Sequence, residues 1–391
     1  MKKSKALLIL LGILFISFNL RAPITAVGSV VEMIQNEYNL TNASAGFITT
    51  LPLIAFAIVS PFVSSISSKI GHAKTMLIGL IFILAGIVLR SYTGAVGLFA
   101  GTAIIGVGIA IGNVIIPGII KLYFSENVGF VTSIYTSGMC IFAAVGAGVS
   151  VPLAKGMNLG WKNTLAVWFF LTIVTIIIWL PQVKEKAQSQ SHLKEIKKGE
   201  SIWKSPLAWW VTLFMGTQSL LFYSLVAWLP TIVVSKGLTE AFAGNMALLF
   251  KLMAIPATLV IPTLCDKFDD QRKLSWAVCA IYASGMALFL FGKTPVLMTI
   301  AVVLMSIGMG GSISLSIAFI SLRSPNSRRA AQLSGMSQSA GYLLAALGPI
   351  VTGFIYDLMS TWTIPVIIFI ALIVFLAFCG SFAGRGMVRE N

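Results

Sequence analysis

The sequence predicts an all-α membrane protein with twelve transmembrane helices in two six-helix, pseudo-symmetric halves. Three observations carry this. The 391-residue chain is 57% hydrophobic and 10% charged, with a mean hydropathy of +0.94, whereas soluble domains run at about 45–50% apolar and about 25% charged. Twelve stretches of about 20 apolar residues are each long enough to cross the hydrocarbon core as a helix. The two halves also echo each other at a separation of about 200 residues. Trp161 and Trp362 each precede the last stretch of their half, and the short basic loops SSKIGHAK (67–74) and CDKFDDQRK (265–273) occupy the same place in each.

The first element, MKKSKALLILLGILFISFNL, has the basic start and apolar run of a secretory signal, and Ala26-Val27-Gly28 imitates a cleavage site. Apolar residues continue past Arg21 to Val31, which predicts a retained first span at 6–31. The rest of the first half follows as spans at 43–66, 74–91, 95–121, 128–154 and 162–181. A hydrophilic stretch, 182–205, contains VKEKAQSQSHLKEIKKGES and reads as a basic cytoplasmic linker. The second half continues with 206–235, 241–264, 274–292, 295–321, 330–356 and 361–383, then a short tail. The domains are thus 1–181, a linker at 182–205, and 206–391. Glycines cluster at 101, 106, 108 and 112, at 138, 146 and 148, and at 308, 310 and 311, where small residues let helices pack closely.

Charge sets the orientation. With the N-terminus in the cytoplasm, 20 of the 27 basic residues fall in cytoplasmic segments, and Arg90, Lys155, Lys162, Lys236 and Lys293 fall in outer loops. That asymmetry places both termini inside. It also explains the net charge of +15 without a nucleic-acid partner. Arg21 and Lys251 remain, near the middle of apolar stretches, where a charge costs about 2.5–3.5 kcal/mol even on insertion scales. All 12 acidic residues lie in loops or at helix ends. Two cations kept at depth without a carboxylate point to a bound anion.

Helical spacing places Ser17, Phe18, Thr25 and Gly28 on the face of Arg21 and turns Asn19 away. Pro23 frees the Asn19 carbonyl and predicts a kink beside Arg21. Further polar candidates are Ser334, Gln338 and Tyr342 at successive spacings of four, Asn113 with Gly106 and Pro117, Tyr135 with Thr132 and Met139, Gln218 with Phe222, and Tyr223 with Ser219. Each reads equally as a solute ligand or as an interhelical hydrogen bond worth about 0.6–2 kcal/mol.

Other chemistries find no support. Cys140, Cys265, Cys279 and Cys379 lack CxxC spacing and read as packing thiols. His72 and His192 fall in hydrophilic loops, which argues against a histidine metal site or proton relay. No GxxxxGK[ST] loop is present to bind ATP, and no nucleophile–base–acid arrangement or cofactor motif appears. The chain is therefore expected to be neither an enzyme nor a cofactor carrier.

FNLRAPITAVGSV (18–30), GNVIIPGIIKLYF (112–124), QSLLFYSLVAWLP (218–230) and AAQLSGMSQSAGYLLAALGPI (330–350) together resemble the cyanate and 2-nitroimidazole porter branch of the major facilitator superfamily. The resemblance spans both halves. It implies the twelve-helix facilitator fold in the cytoplasmic membrane and alternating-access transport of a small polar or anionic solute, with a site near the bilayer midplane between the halves. It also implies solute-facing roles for Arg21, Asn113, Tyr135, Gln218, Tyr223 and Gln338, to which Lys251 and Tyr342 are added from charge and spacing. Two departures stand out. The gating loops carry Ser68 before Lys69 in the first copy but Asp266 before Lys267 in the second, and Lys251 occupies a place that is often polar and neutral in relatives. The expected partners are a small solute, the bilayer and protons, with a monomer as the default. Two alternatives differ in what they require. Multidrug efflux of cations calls for an acid at depth, and a membrane sensor calls for a larger cytoplasmic segment than 182–205 supplies.

Overall fold

In lipid the backbone must satisfy its own hydrogen bonds, so apolar runs of this length fold as helices. The computed structural model describes residues 3–40, 42–184 and 201–388. Most of the central linker, with His192, lies outside the described residues. Among the described residues the chain is helical and contains no strand.

Twelve helices are long and apolar enough to span a membrane: Lys5–Tyr38, Gly46–Ile70, His72–Tyr92, Gly94–Tyr123, Val128–Gly156, Gly160–Val183, Pro206–Ser235, Glu240–Cys265, Arg272–Phe291, Pro295–Leu322, Ser327–Met359 and Thr363–Ala383. They follow the sequence expectation closely except at the first, which runs past Val31 to Tyr38. Its second half is amphipathic. Val27, Val30 and Ile34 are buried, while Glu32 is exposed inside the helix rather than in a loop or at an end.

Two interruptions concern the candidate residues. The first span is built from Lys3–Asn19 and Ala22–Tyr38, with the helix broken at Leu20 and Arg21. Pro23 lacks the N–H that would bond the Asn19 carbonyl, and the break falls there. The eighth span is built from Glu240–Leu252 and Ala254–Cys265. Pro256 likewise leaves the Leu252 carbonyl without a donor four residues on.

The chain forms two compact units. One comprises Met1–Tyr123, Ile134–Glu200 and Asn326–Ser339; the other comprises Phe124–Ser133, Ser201–Pro325 and Ala340–Asn391. Within the first, the third and fourth spans meet along glycines. A Cβ on Gly86 would lie 2.7 Å from the Gly101 carbonyl oxygen, and one on Gly108 would lie 2.5 Å from that of Gly79. Helices in lipid associate through such close van der Waals packing and not through the hydrophobic effect. Polar contacts add to it: Asn19 Nδ2 donates to Thr175 Oγ1 and Thr172 Oγ1 donates to Asn19 Oδ1, both at 2.7 Å. Asn19 is therefore committed to the sixth span and away from the Arg21 face. The outer surface stays apolar. Ile58, Phe62 and Ile66, spaced by four, are 61%, 64% and 44% exposed, as a lipid-facing stripe requires.

Candidate functional site

Arg21 occupies the break in the first span, at the N-cap position of Ala22–Tyr38 with φ −128° and ψ −48°. Its carbonyl accepts from Ile24 N at 3.1 Å and from Thr25 N at 3.0 Å, so the helix restarts on it. Phe18, Arg21, Thr25 and Gly28 form the less buried stripe of this span. Ser17, placed on the same face by spacing, is fully buried instead and donates to the Leu14 carbonyl. Phe18 stacks on Phe142 of the fifth span, with centroids 3.7 Å apart.

A third cation lies beside this break. The charge count put Arg90 in an outer loop, and the structure corrects it: Arg90 belongs to the helix His72–Tyr92 and is 1% exposed. Its Nη1 donates to the Pro23 carbonyl at 2.6 Å, while Nε and Nη2 are buried without a hydrogen-bond partner. Two residues from the end of its helix, an arginine reads as snorkelling to the surface. The available signal was the glycine-rich GAVGLFAG (94–101), which admits the Arg90 backbone against Gly101.

His72 needs the same correction. It opens the third span, is 4% exposed, and its Nδ1 lies 2.5 Å from Ser67 Oγ. Ser67 is buried with it, whereas Lys69 and Lys74 stay exposed.

Of the other candidates, the first unit brings Asn113, Tyr135 and the start of the eleventh span together. Tyr135 Oη donates to Asn113 Oδ1 at 3.0 Å, and Ser334 Oγ donates to the Asn113 carbonyl at 3.1 Å. Ser339 Oγ donates to the Ala57 carbonyl at 2.7 Å. Asn113 and Gln338 are 3% and 4% exposed, yet Asn113 Nδ2 and Gln338 Oε1 have no partner among the described residues. Buried polar atoms of this kind ask for a ligand or an ordered water.

Within the second unit, Gln218 Nε2 donates to Ser219 Oγ at 2.7 Å, and its buried Oε1 is unpartnered. Tyr223 and Tyr342 meet edge-on with centroids 6.4 Å apart. Lys251 lies in the last turn of the helix Glu240–Leu252, is exposed, and stands in the middle of the span Glu240–Cys265, beside its break, as the sequence places it. Asp266 accepts from Gly129 N at 2.8 Å and Phe130 N at 2.9 Å, capping the start of the fifth span. Lys69 and Lys267 are exposed. Among the described residues no three His, Cys, Asp or Glu side chains gather as a metal set.

The family model described as Major Facilitator Superfamily matches residues 9–349. An uncharacterized transporter, YycB, of Bacillus subtilis is 44% identical over 98% of this chain and 95% of its own length. The 2-nitroimidazole transporter of Escherichia coli is 37% identical over 97% and 96%. Among solved structures, the proton:xylose symporter XylE superposes with a TM-score of 0.82 at 13% identity, covering 100% of this chain and 98% of that one. At that identity it speaks for the fold alone.

Proposed function

The chain belongs to the major facilitator superfamily, in its cyanate and 2-nitroimidazole porter branch, and from that premise we propose that it carries a small anionic or strongly polar solute across the cytoplasmic membrane by alternating access. The observation that carries the reading is the first unit's polar set: Arg21 on the open stripe of a broken helix, with the unpartnered amide ends of Asn113 and Gln338. Arginine offers a planar fork of donors suited to an anion. Asparagine and glutamine each offer both a donor and an acceptor, which suits a solute bearing N–H or O–H groups as well as negative charge. Cyanate and nitroimidazoles fall in that size and polarity range.

Arg21 acts as the anion clamp, and Asn113, Tyr135 and Gln338 orient the solute. Within the second unit, Gln218, Tyr223, Lys251 and Tyr342 are the polar residues we assign to solute contact. The Lys and Arg asymmetry places both termini in the cytoplasm. Co-transport of a protonated weak acid and protonation of Lys251 are two routes to proton coupling, facilitated diffusion is the alternative to both, and proton flux recorded alongside uptake decides whether coupling occurs.

Binding of labelled cyanate and labelled 2-nitroimidazole to the purified protein tests the clamp. Charge-assisted hydrogen bonds are worth about 1.5–3 kcal/mol, so Arg21→Gln is expected to weaken binding about 10- to 150-fold. Unchanged affinity in that variant refutes the reading.

A further inference from the structure

At one face of the second unit, the ends of the seventh, ninth and eleventh spans meet the start of the twelfth. They enclose a cavity of about 330 Å³ lined by Ser235, Lys236, Tyr356, Thr361, Trp362 and Thr363, among others, a volume at the lower end of small-molecule sites. Lys236 is half-buried. Its Nζ donates to the Leu290 carbonyl at 2.8 Å and makes a longer contact with that of Gly292 at 3.4 Å. An ammonium has three donors, so one remains for a ligand. Among the described residues no carboxylate lies within ion-pair distance of it. Burial, and then Lys293, push the Lys236 pKa down; both effects disfavour the cation, and an entering anion would relieve both.

The rest of the lining is also selective. Trp362 stacks on Tyr356 with centroids 4.2 Å apart and planes 19° from parallel, which gives a flat aromatic wall. Thr361 Oγ1 accepts from Thr363 N and donates to Thr363 Oγ1, both at 3.2 Å, at the start of the Thr363–Ala383 helix, which leaves the Thr363 hydroxyl proton for a ligand.

The first unit shows what the equivalent corner holds. Trp161 stands at the start of the sixth span as Trp362 stands before the twelfth, and Glu37 closes the first span where Ser235 and Lys236 close the seventh. There Trp161 Nε1 donates to Glu37 Oε2 at 2.6 Å, and Lys162 Nζ pairs with Glu37 Oε1 at 2.6 Å. That corner is filled by a carboxylate of its own. The second-unit corner has a lysine, hydroxyls and a tryptophan around a cavity, with Thr363 in the place of Lys162 and, among the described residues, no carboxylate in the lining.

We propose that this corner is a separate binding site for a small planar carboxylate, with Lys236 as counter-charge, Thr363 as hydroxyl donor held by Thr361, and the Tyr356–Trp362 stack as its wall. It does not depend on Arg21 and is a different site from the solute site proposed above.

Saturation binding of radiolabelled benzoate to the full-length protein in lipid nanodiscs tests it. In the Arg21→Gln protein, saturable binding persists. Adding Lys236→Met weakens it tenfold or more, and Lys236→Arg holds it within about threefold of the parent. Ser235→Glu gives the second unit an acid beside Lys236, mimicking Glu37, and abolishes binding while keeping or raising the unfolding temperature. That variant keeps the test decisive where Lys236→Met fails to fold. Absence of saturable binding in the Arg21→Gln protein, or less than a threefold change in every folded Lys236→Met and Ser235→Glu variant, overturns the proposal. Solute uptake by Arg21→Gln reports independently on the first site.

Discussion

At the scale of single residues, Arg90 is a costly side chain to bury. Its guanidinium is almost wholly buried, one N–H group holds the Pro23 carbonyl, and Nε and Nη2 are unpartnered. Replacing a buried charge by an apolar side chain of similar volume is often neutral or stabilising by about 1–4 kcal/mol, because the desolvation penalty disappears. Against that stands one charge-assisted hydrogen bond of about 1.5–3 kcal/mol. Arg90→Met is therefore expected to leave the unfolding temperature unchanged or higher. The Pro23 carbonyl lies two residues from Arg21, on the segment that restarts the helix, so the same variant is expected to weaken solute binding about tenfold. A fall in both stability and binding would mark Arg90 as plain structural support. Thermal unfolding and solute binding, measured on one preparation, separate these outcomes.

At the scale of elements, the informative joint is the start of the fifth span. Both Asp266 oxygens accept backbone N–H groups, from Gly129 and Phe130, where a helix leaves its first donors open and carries its positive end. Loss of such a cap costs about 0.5–2 kcal/mol. Asp266→Ala is expected to lower the unfolding temperature by a few degrees, Asp266→Asn by less, and Asp269→Ala by nothing measurable in the same thermal assay. The next loop acid is tied differently. Arg272 holds the Asp270 carboxyl down to about 2, chiefly through its side chain and then its backbone N–H. Stability linked to a depressed carboxylate is present above the unfolded pKa and lost as pH falls through the folded one, so this tie persists down to about pH 2. The Asp266–Lys267 pair stood out in the sequence against Ser68–Lys69 of the first copy, but the partner of Asp266 did not. A repeat motif fixes which loop carries the acid, whereas the choice of Gly129 and Phe130 depends on where a helix distant in sequence begins.

At the scale of the whole molecule, twelve spans were legible because a bilayer admits few solutions: a run of apolar residues with no internal acid must be a helix of about that length. What escaped was burial near the ends of those runs. Arg90 and His72 each sit within three residues of a helix terminus, where hydropathy cannot distinguish a side chain that reaches water from one that turns inward. Glu32 escaped for another reason: it is exposed, but its amphipathic helix extends beyond the apolar run that marked the first span. The same ends bear on orientation, which rests on basic-residue asymmetry. That rule places Lys155, Lys162 and Lys293 outside and the 265–273 loop inside. Single cysteines at Lys155 and Lys293, against the native thiols that lie within the spans, are expected to react with a membrane-impermeant maleimide added to intact cells. A cysteine at exposed Asp269 is expected to react only after the membrane is opened. The reverse pattern would invert the protein in the membrane and place the Lys236 cavity on the cytoplasmic side. It would leave the geometry of that cavity unchanged but move its ligand from the external medium to the pool of intracellular carboxylates.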